Sequence, residues 1–89
     1  MIAEEESLET SPLLCLRVTT EADPCALGRV LSYFQNLNIV PRRVTAEFAT
    51  RSVMHIQVDV SDMSEGRLSL ICARIRENIP TLNAYWHWL

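Results

Sequence analysis

Few residues of this 89-residue chain have the types needed for chemistry: His55, His87, the thiols Cys15, Cys25 and Cys72, and one acid–proline–thiol turn, Asp23-Pro24-Cys25. The cysteines are odd in number, widely spaced and lack a Cys-x-x-Cys pair, so they form neither a disulfide framework nor a zinc ribbon. Cys15 and Cys72 are expected to be buried, reduced thiols. All eight cationic side chains are arginines. The lack of lysine removes Walker-type phosphate binding, Schiff-base chemistry and any lysine general base. Asp59 and Glu47 read as solvated strand positions, and no Ser/His/Asp or paired-carboxylate constellation can be assembled. The residues therefore predict no catalytic group, no metal site and no cofactor.

The stretch that remains is Thr20 to Leu31, where an extended run ends and an amphipathic helix begins. Asp23 is a strong N-cap candidate and Pro24 suits the first helical position, where its missing N–H costs nothing. Leu27, Val30, Leu31, Phe34 and Leu37 then recur at helical spacing. A helix start leaves backbone amides unpaired, so this turn can hold a carboxylate or another anion. The plainer reading is that Asp23 simply caps a helix.

The elements that must position this turn follow from periodicity. Residues 1–11 hold Glu4, Glu5, Glu6 and Glu9 and read as a solvated, mobile acidic tail, with the domain spanning 12–89. Leu13 to Thr19 alternates as a first strand, with Leu14, Leu16 and Val18 on one face. After the helix, Asn36-Leu37-Asn38 supplies a C-cap that tolerates the left-handed conformation. Ile39 to Ala49 is a second strand, with Val44, Ala46 and Phe48 on one side, and Pro41 marks it as a sheet edge. Val53 to Val60 is the cleanest strand, one face buried and the other wet. Asp62-Met63-Ser64-Glu65 reads as a capping box opening a helix whose Leu68, Ile71, Cys72, Ile75 and Ile79 share a side, and Pro80 stops it. Thr81 to Leu89 is a last strand burying Leu82, Ala84, Trp86 and Trp88, with the opposite register, Tyr85 inward, as the alternative.

Length limits this chain to one domain near the size where oligomerisation helps stability. No apolar run approaches the roughly 20 residues that span a bilayer. The acidic N-terminus is unlike a secretory signal, so a cytoplasmic protein without a membrane partner is expected. A net charge of -3 argues against a general nucleic-acid binder.

The order strand, helix, strand, strand, helix, strand predicts an α+β, ferredoxin-like βαββαβ domain: a four-stranded antiparallel sheet with two helices on one face. Such a fold serves many tasks, so the residues decide. The first strand-to-helix loop carries Glu21 and Asp23 where an acylphosphatase needs a phosphate cradle. It carries a lone Cys25 where a metal chaperone needs two cysteines. The outward positions Cys15, Arg17, His55, Gln57 and Asp59 offer no aromatic for stacking RNA bases. In the expected strand order His87 neighbours Cys15 and His55 falls at the other end of the sheet, so no three-ligand site forms.

Asp23-Pro24-Cys25-Ala26-Leu27, Arg29-Val30-Leu31 and Asn38-Ile39 together resemble the ACT domain, a small regulatory module that commonly binds amino acids. The resemblance covers nearly all of the chain after Ser11, and among free-standing members it is most similar to short acetolactate synthase small subunits. It implies homo-oligomers paired through sheet edges, a catalytic subunit of a biosynthetic enzyme as partner, and a branched-chain amino acid held between domains. Carried over, the effector site comprises Asp23, Pro24, Cys25, Ala26, Leu27, Asn38 and Ile39. Ligand-binding members usually carry glycine where Cys25 stands. The alternative is therefore an effector-blind dimerisation or protein-interaction domain.

Overall fold

The structure, a computed structural model, describes residues 13–79 and 81–89. The acidic tail and the stop at Pro80 lie outside the described residues. Six elements follow in order: β1 (Leu14–Glu21), α1 (Ala26–Gln35), β2 (Arg43–Phe48), β3 (Val53–Val60), α2 (Glu65–Asn78) and β4 (Thr81–Trp88). The strands form one antiparallel sheet in the order β2-β3-β1-β4. This is the ferredoxin-like arrangement that the element order predicts.

Period-two alternation explains the core. Leu14, Leu16 and Val18 of β1 and Ile56, Val58 and Val60 of β3 point to one side of the sheet. Val30 and Phe34 of α1, and Leu68, Ile71, Cys72 and Ile75 of α2, close over them. Ile79, just past α2, is buried as its periodicity predicts. Both helices therefore cover the same face. No residue of β2 belongs to this core, because β2 is the outer strand beyond the reach of the helical layer.

Four local expectations need correction. The N-cap of α2 is Ser64, whose Oγ accepts from the Arg67 amide at 3.2 Å; Asp62 stands two residues too early, so the capping box does not form. The second strand is shorter than predicted and begins at Arg43, since Pro41 cannot join the ladder. Asp59, on the face predicted to be wet, is only 6% exposed. It lies between Cys15 and Arg43 in the sheet and accepts from Gln57 Nε2 at 3.0 Å.

The fourth concerns β4. Ala84 is buried and Trp86 packs on the core, its indole donating to Ser69 Oγ of α2 at 2.8 Å. Tyr85 is exposed, so the alternative register is wrong. Leu82, however, faces solvent, because a register shift opposite Thr19 and Thr20 inserts it as an extra residue in the strand. Trp88 is half exposed beyond the end of α2's cover and meets Trp86 edge-on. Arg76 ties α2 to β4 by donating from Nε, at 2.9 Å, and from Nη2 to the Ala84 carbonyl. Ser69→Ala removes the solvent-accessible bond to the Trp86 indole, which water can replace, and is expected to cost about 0.5 kcal/mol, read as a lower urea midpoint with unchanged slope.

Candidate functional site

The β1–α1 turn is built largely from its own backbone. Asp23 Oδ1 accepts the Cys25 amide at 2.8 Å, and the Asp23 carbonyl accepts the Ala26 amide at 3.0 Å. These bonds close a short turn ahead of α1, which begins at Ala26 with Cys25 at the cap position. Asp23 thus bonds the amide of Cys25 within the turn and none of the first helical turn, so the expected Asp23 N-cap is corrected: Cys25 holds the cap position without a side-chain cap bond. Asp23 stands two positions before the cap, and Pro24 sits inside the turn rather than at the first helical position. A further bond, from the Ala22 amide to the Ser52 carbonyl at 2.8 Å, pins the turn to the β2–β3 hairpin.

At the other end of α1, Asn38 adopts the left-handed conformation (φ 59°) expected of a helix C-terminus. Its amide donates to Gln35, and the next amide, of Ile39, donates to Phe34. Leu37 leaves the helical stripe here and is exposed. Arg42 then donates its amide to Asp59 at 2.7 Å and sets β2 in register.

The seven predicted effector residues divide between these two ends. Asp23, Pro24 and Leu27 line an open concavity of about 420 Å³ with Ala22, Phe48 and Met54. Asn38 and Ile39 line another of about 390 Å³ with Leu31, Val40, Pro41 and Val44. A ten-residue helix, roughly 15 Å long, separates them, so one chain does not gather all seven around one ligand. The methyl of Ala26 belongs to the core, and Cys25 is exposed and lines neither concavity. Cys25 has φ −90°, which any L-residue adopts, so the turn needs no glycine there.

Sequence reasoning missed Val40, Val44, Phe48 and Met54. With Leu27 and Leu31 they form one apolar flank along α1 and β2. Val40 is 84% and Phe48 66% exposed. The signal was present in two parts, an apolar alternation on β2 and a proline marking it as an edge. An apolar face on an edge strand is one that the domain's own helices need not cover.

The opposite, helix-free face of the sheet is polar. His87 Nε2 accepts from Arg17 Nε at 3.0 Å, while His87 Nδ1 lies 2.8 Å from the Trp88 carbonyl. His87 stands opposite Cys15 in the ladder and His55 opposite Thr19, whose hydroxyl is 3.0 Å from His55 Nδ1. Both rings are thus engaged separately, and no three potential ligands converge on a metal among the described residues.

Cys15 is fully buried, and Cys72 is buried in the core. Burial first, and the neighbouring Asp59 second, push the Cys15 thiol up to about 11 from an ordinary 9.0, against a small lowering by Arg17. Burial also raises Cys72, opposed by Arg76. Below about pH 9 the Cys15 thiol is protonated in both folded and unfolded states. As pH rises towards about 11 only the unfolded chain ionises, so stability falls across that window. The melting temperature of the native chain should therefore drop more steeply there than that of Cys15→Ala; parallel slopes would overturn the assignment.

A family model for an ACT-like domain matches residues 7–87. Comparison with curated proteins finds no match. Among solved structures, the chain is similar to the C-terminal domain of the MgtC protein from Mycobacterium tuberculosis (TM-score 0.71, 14% identity, covering 91% of this chain and 90% of that one). It is also similar to the ACT domain of GTP pyrophosphokinase from Chlorobium tepidum (TM-score 0.70, 10% identity, 88% and 100% covered). A third likeness is to prephenate dehydratase from Streptococcus mutans (TM-score 0.61, 17% identity), covering 89% of this chain but 42% of that one. At such identities the structural likenesses speak for the fold alone. With the family model spanning almost the whole sequence, the chain belongs to the ACT-like domain family.

Proposed function

We propose that residues 12–89 form a regulatory module that controls an amino-acid biosynthetic enzyme in the cytoplasm. In this role it resembles an acetolactate synthase small subunit and binds a branched-chain amino acid between two copies. The supporting observation is the uncovered apolar flank that joins the Asp23 turn to the Asn38-Ile39 end. Antiparallel pairing of β2 with β2 of a second copy sets the Arg43 end of one strand beside the Phe48 end of the other. The Asn38-Ile39 end of one domain then meets the Asp23 turn of its partner, and the two half-sites become one. Leu27, Phe48 and Met54 offer an aliphatic side chain an apolar wall. Amides of the first helical turn suit its carboxylate, and the Asp23 carboxylate suits its ammonium group.

Cys25 in place of the usual glycine favours the second reading, an effector-blind interaction domain. Thermal unfolding against a panel of amino acids, followed by Trp86 fluorescence, separates the two. A ligand at 100 times its dissociation constant adds about 2.7 kcal/mol, several degrees in a domain this size. The expected result is a shift confined to valine, leucine or isoleucine and reduced at least tenfold in apparent affinity by Asp23→Ala. No shift with any amino acid, in a folded dimer, supports the effector-blind reading.

A further inference from the structure

The sheet ends in two outer strands, β2 on one side and β4 on the other, and their free edges are finished differently. An unpaired edge offers its amides and carbonyls to any further strand. At β4 the Leu89 amide donates to the Leu13 carbonyl at 3.0 Å, which makes these two residues a hydrogen-bonded pair. In an antiparallel ladder such pairs alternate with pairs that exchange no bonds. By the register, His87, Tyr85 and Asn83 therefore turn their backbone groups towards β1, whereas Trp88, Trp86 and Ala84 turn theirs outward.

Side chains already take two of these three outward carbonyls. Ala84 accepts from both Nε and Nη2 of Arg76, as many donors as a carbonyl has lone pairs. Arg76 reaches it from α2, and Ala84 is 0% exposed although its strand is an outer one. The Trp88 carbonyl lies 2.8 Å from His87 Nδ1, which is the ring's donor because His87 Nε2 accepts from Arg17 Nε. The start of β4 is irregular as well, through the register shift that turns Leu82 outward. Bulges and charged side chains laid on an edge both oppose the addition of strands.

The β2 edge lacks this cover. The same alternation, carried across β1 and β3, turns the backbone groups of Val44, Ala46 and Phe48 outward. Pairing of β2 with β3 runs without a shift, and among the described residues no side chain bonds these carbonyls.

We infer that Arg76 closes β4 to strand addition by a second copy, so that copies of this chain pair through β2 alone. The dimer itself rests on the β2 pairing proposed above, whereas the closure of β4 rests on the Arg76 bonds. Two open edges would join β2 to β2 and β4 to β4 in turn, and those alternating twofold contacts never close. Without Arg76, the Ala84 carbonyl is a free acceptor in line with the outward groups of Trp86 and Trp88, and β4 of a second copy can lie antiparallel along it.

Sedimentation velocity and amide hydrogen exchange on the full-length chain test this with Arg76→Ala and with Arg76→Met, which keeps an apolar stem over β4 but no donor. The weight-average mass of either variant should at least about double across a tenfold rise in concentration over which the native chain keeps one size. The outward amides of Trp86 and Trp88 should exchange at least about tenfold more slowly in the larger species than in the native chain, because only pairing at β4 protects them. Combined with Val44→Asp and Phe48→Asp, Arg76→Ala should give a dimer protected at these amides and nothing larger. That outcome is expected even if the native chain proves monomeric, so failure of β2 pairing reads separately from failure of the β4 closure. Folded Arg76 variants that keep the native size, or that grow without slower exchange at Trp86 and Trp88, would overturn the inference.

Discussion

Phe34→Ala should remove a third or more of the chain's folding stability. Phe34 is completely buried on α1 and packs between both helices and the sheet, where its ring is among the largest fully buried side chains. Truncating such a ring costs about 3–5 kcal/mol, through lost transfer free energy and the cavity left behind. A domain of this length has roughly 5–10 kcal/mol in total, so the loss is a large share. The position is also structural at its backbone, because the Phe34 carbonyl accepts the amides of Leu37 and Ile39 that turn the chain towards β2. Urea unfolding of Phe34→Leu, which keeps most of the volume, should show a loss at least 1 kcal/mol smaller than Phe34→Ala. Equal losses for the two would mean that this site does not hold the core together.

The second large effect concerns association. Val44→Asp with Phe48→Asp should weaken self-association at least about 100-fold, or roughly 2.7 kcal/mol, while leaving the monomer folded. Both side chains lie on the apolar flank of edge strand β2, and neither contributes to the core. Across a twofold axis the four introduced carboxylates meet one another, and like charges brought together at an interface oppose pairing. Sedimentation velocity reads the outcome directly. The branched-chain amino-acid shift should vanish in the same variant, because each half-site loses its partner. A variant that stays dimeric would remove β2 as the pairing edge. One that turns monomeric yet still binds the effector would show that a single chain completes the site.

Residues alone determined the order of the elements, the side chains that face the helices on β1 and β3, and the left-handed turn at Asn38. These are local properties: period-two and period-3.6 patterns decide which side chains share a face, and cap and turn residues act within a few positions. Local patterns could not decide whether a given face is buried, since that depends on what packs against it. Val44, Ala46 and Phe48 alternate as cleanly as Ile56, Val58 and Val60, yet the first set is exposed and the second buried. The two helices lie over β1, β3 and β4 and leave the outer strand bare. For the same reason Asp59 is buried on a face expected to be wet, flanked by Cys15 and Arg43, and Leu82 is turned out of the core by a shift in pairing with β1. The predicted effector residues follow this division. Their types were legible one by one in the sequence, but α1 holds them at opposite ends of an uncovered flank, and only the three-dimensional arrangement divides those that line a concavity between two instead of one.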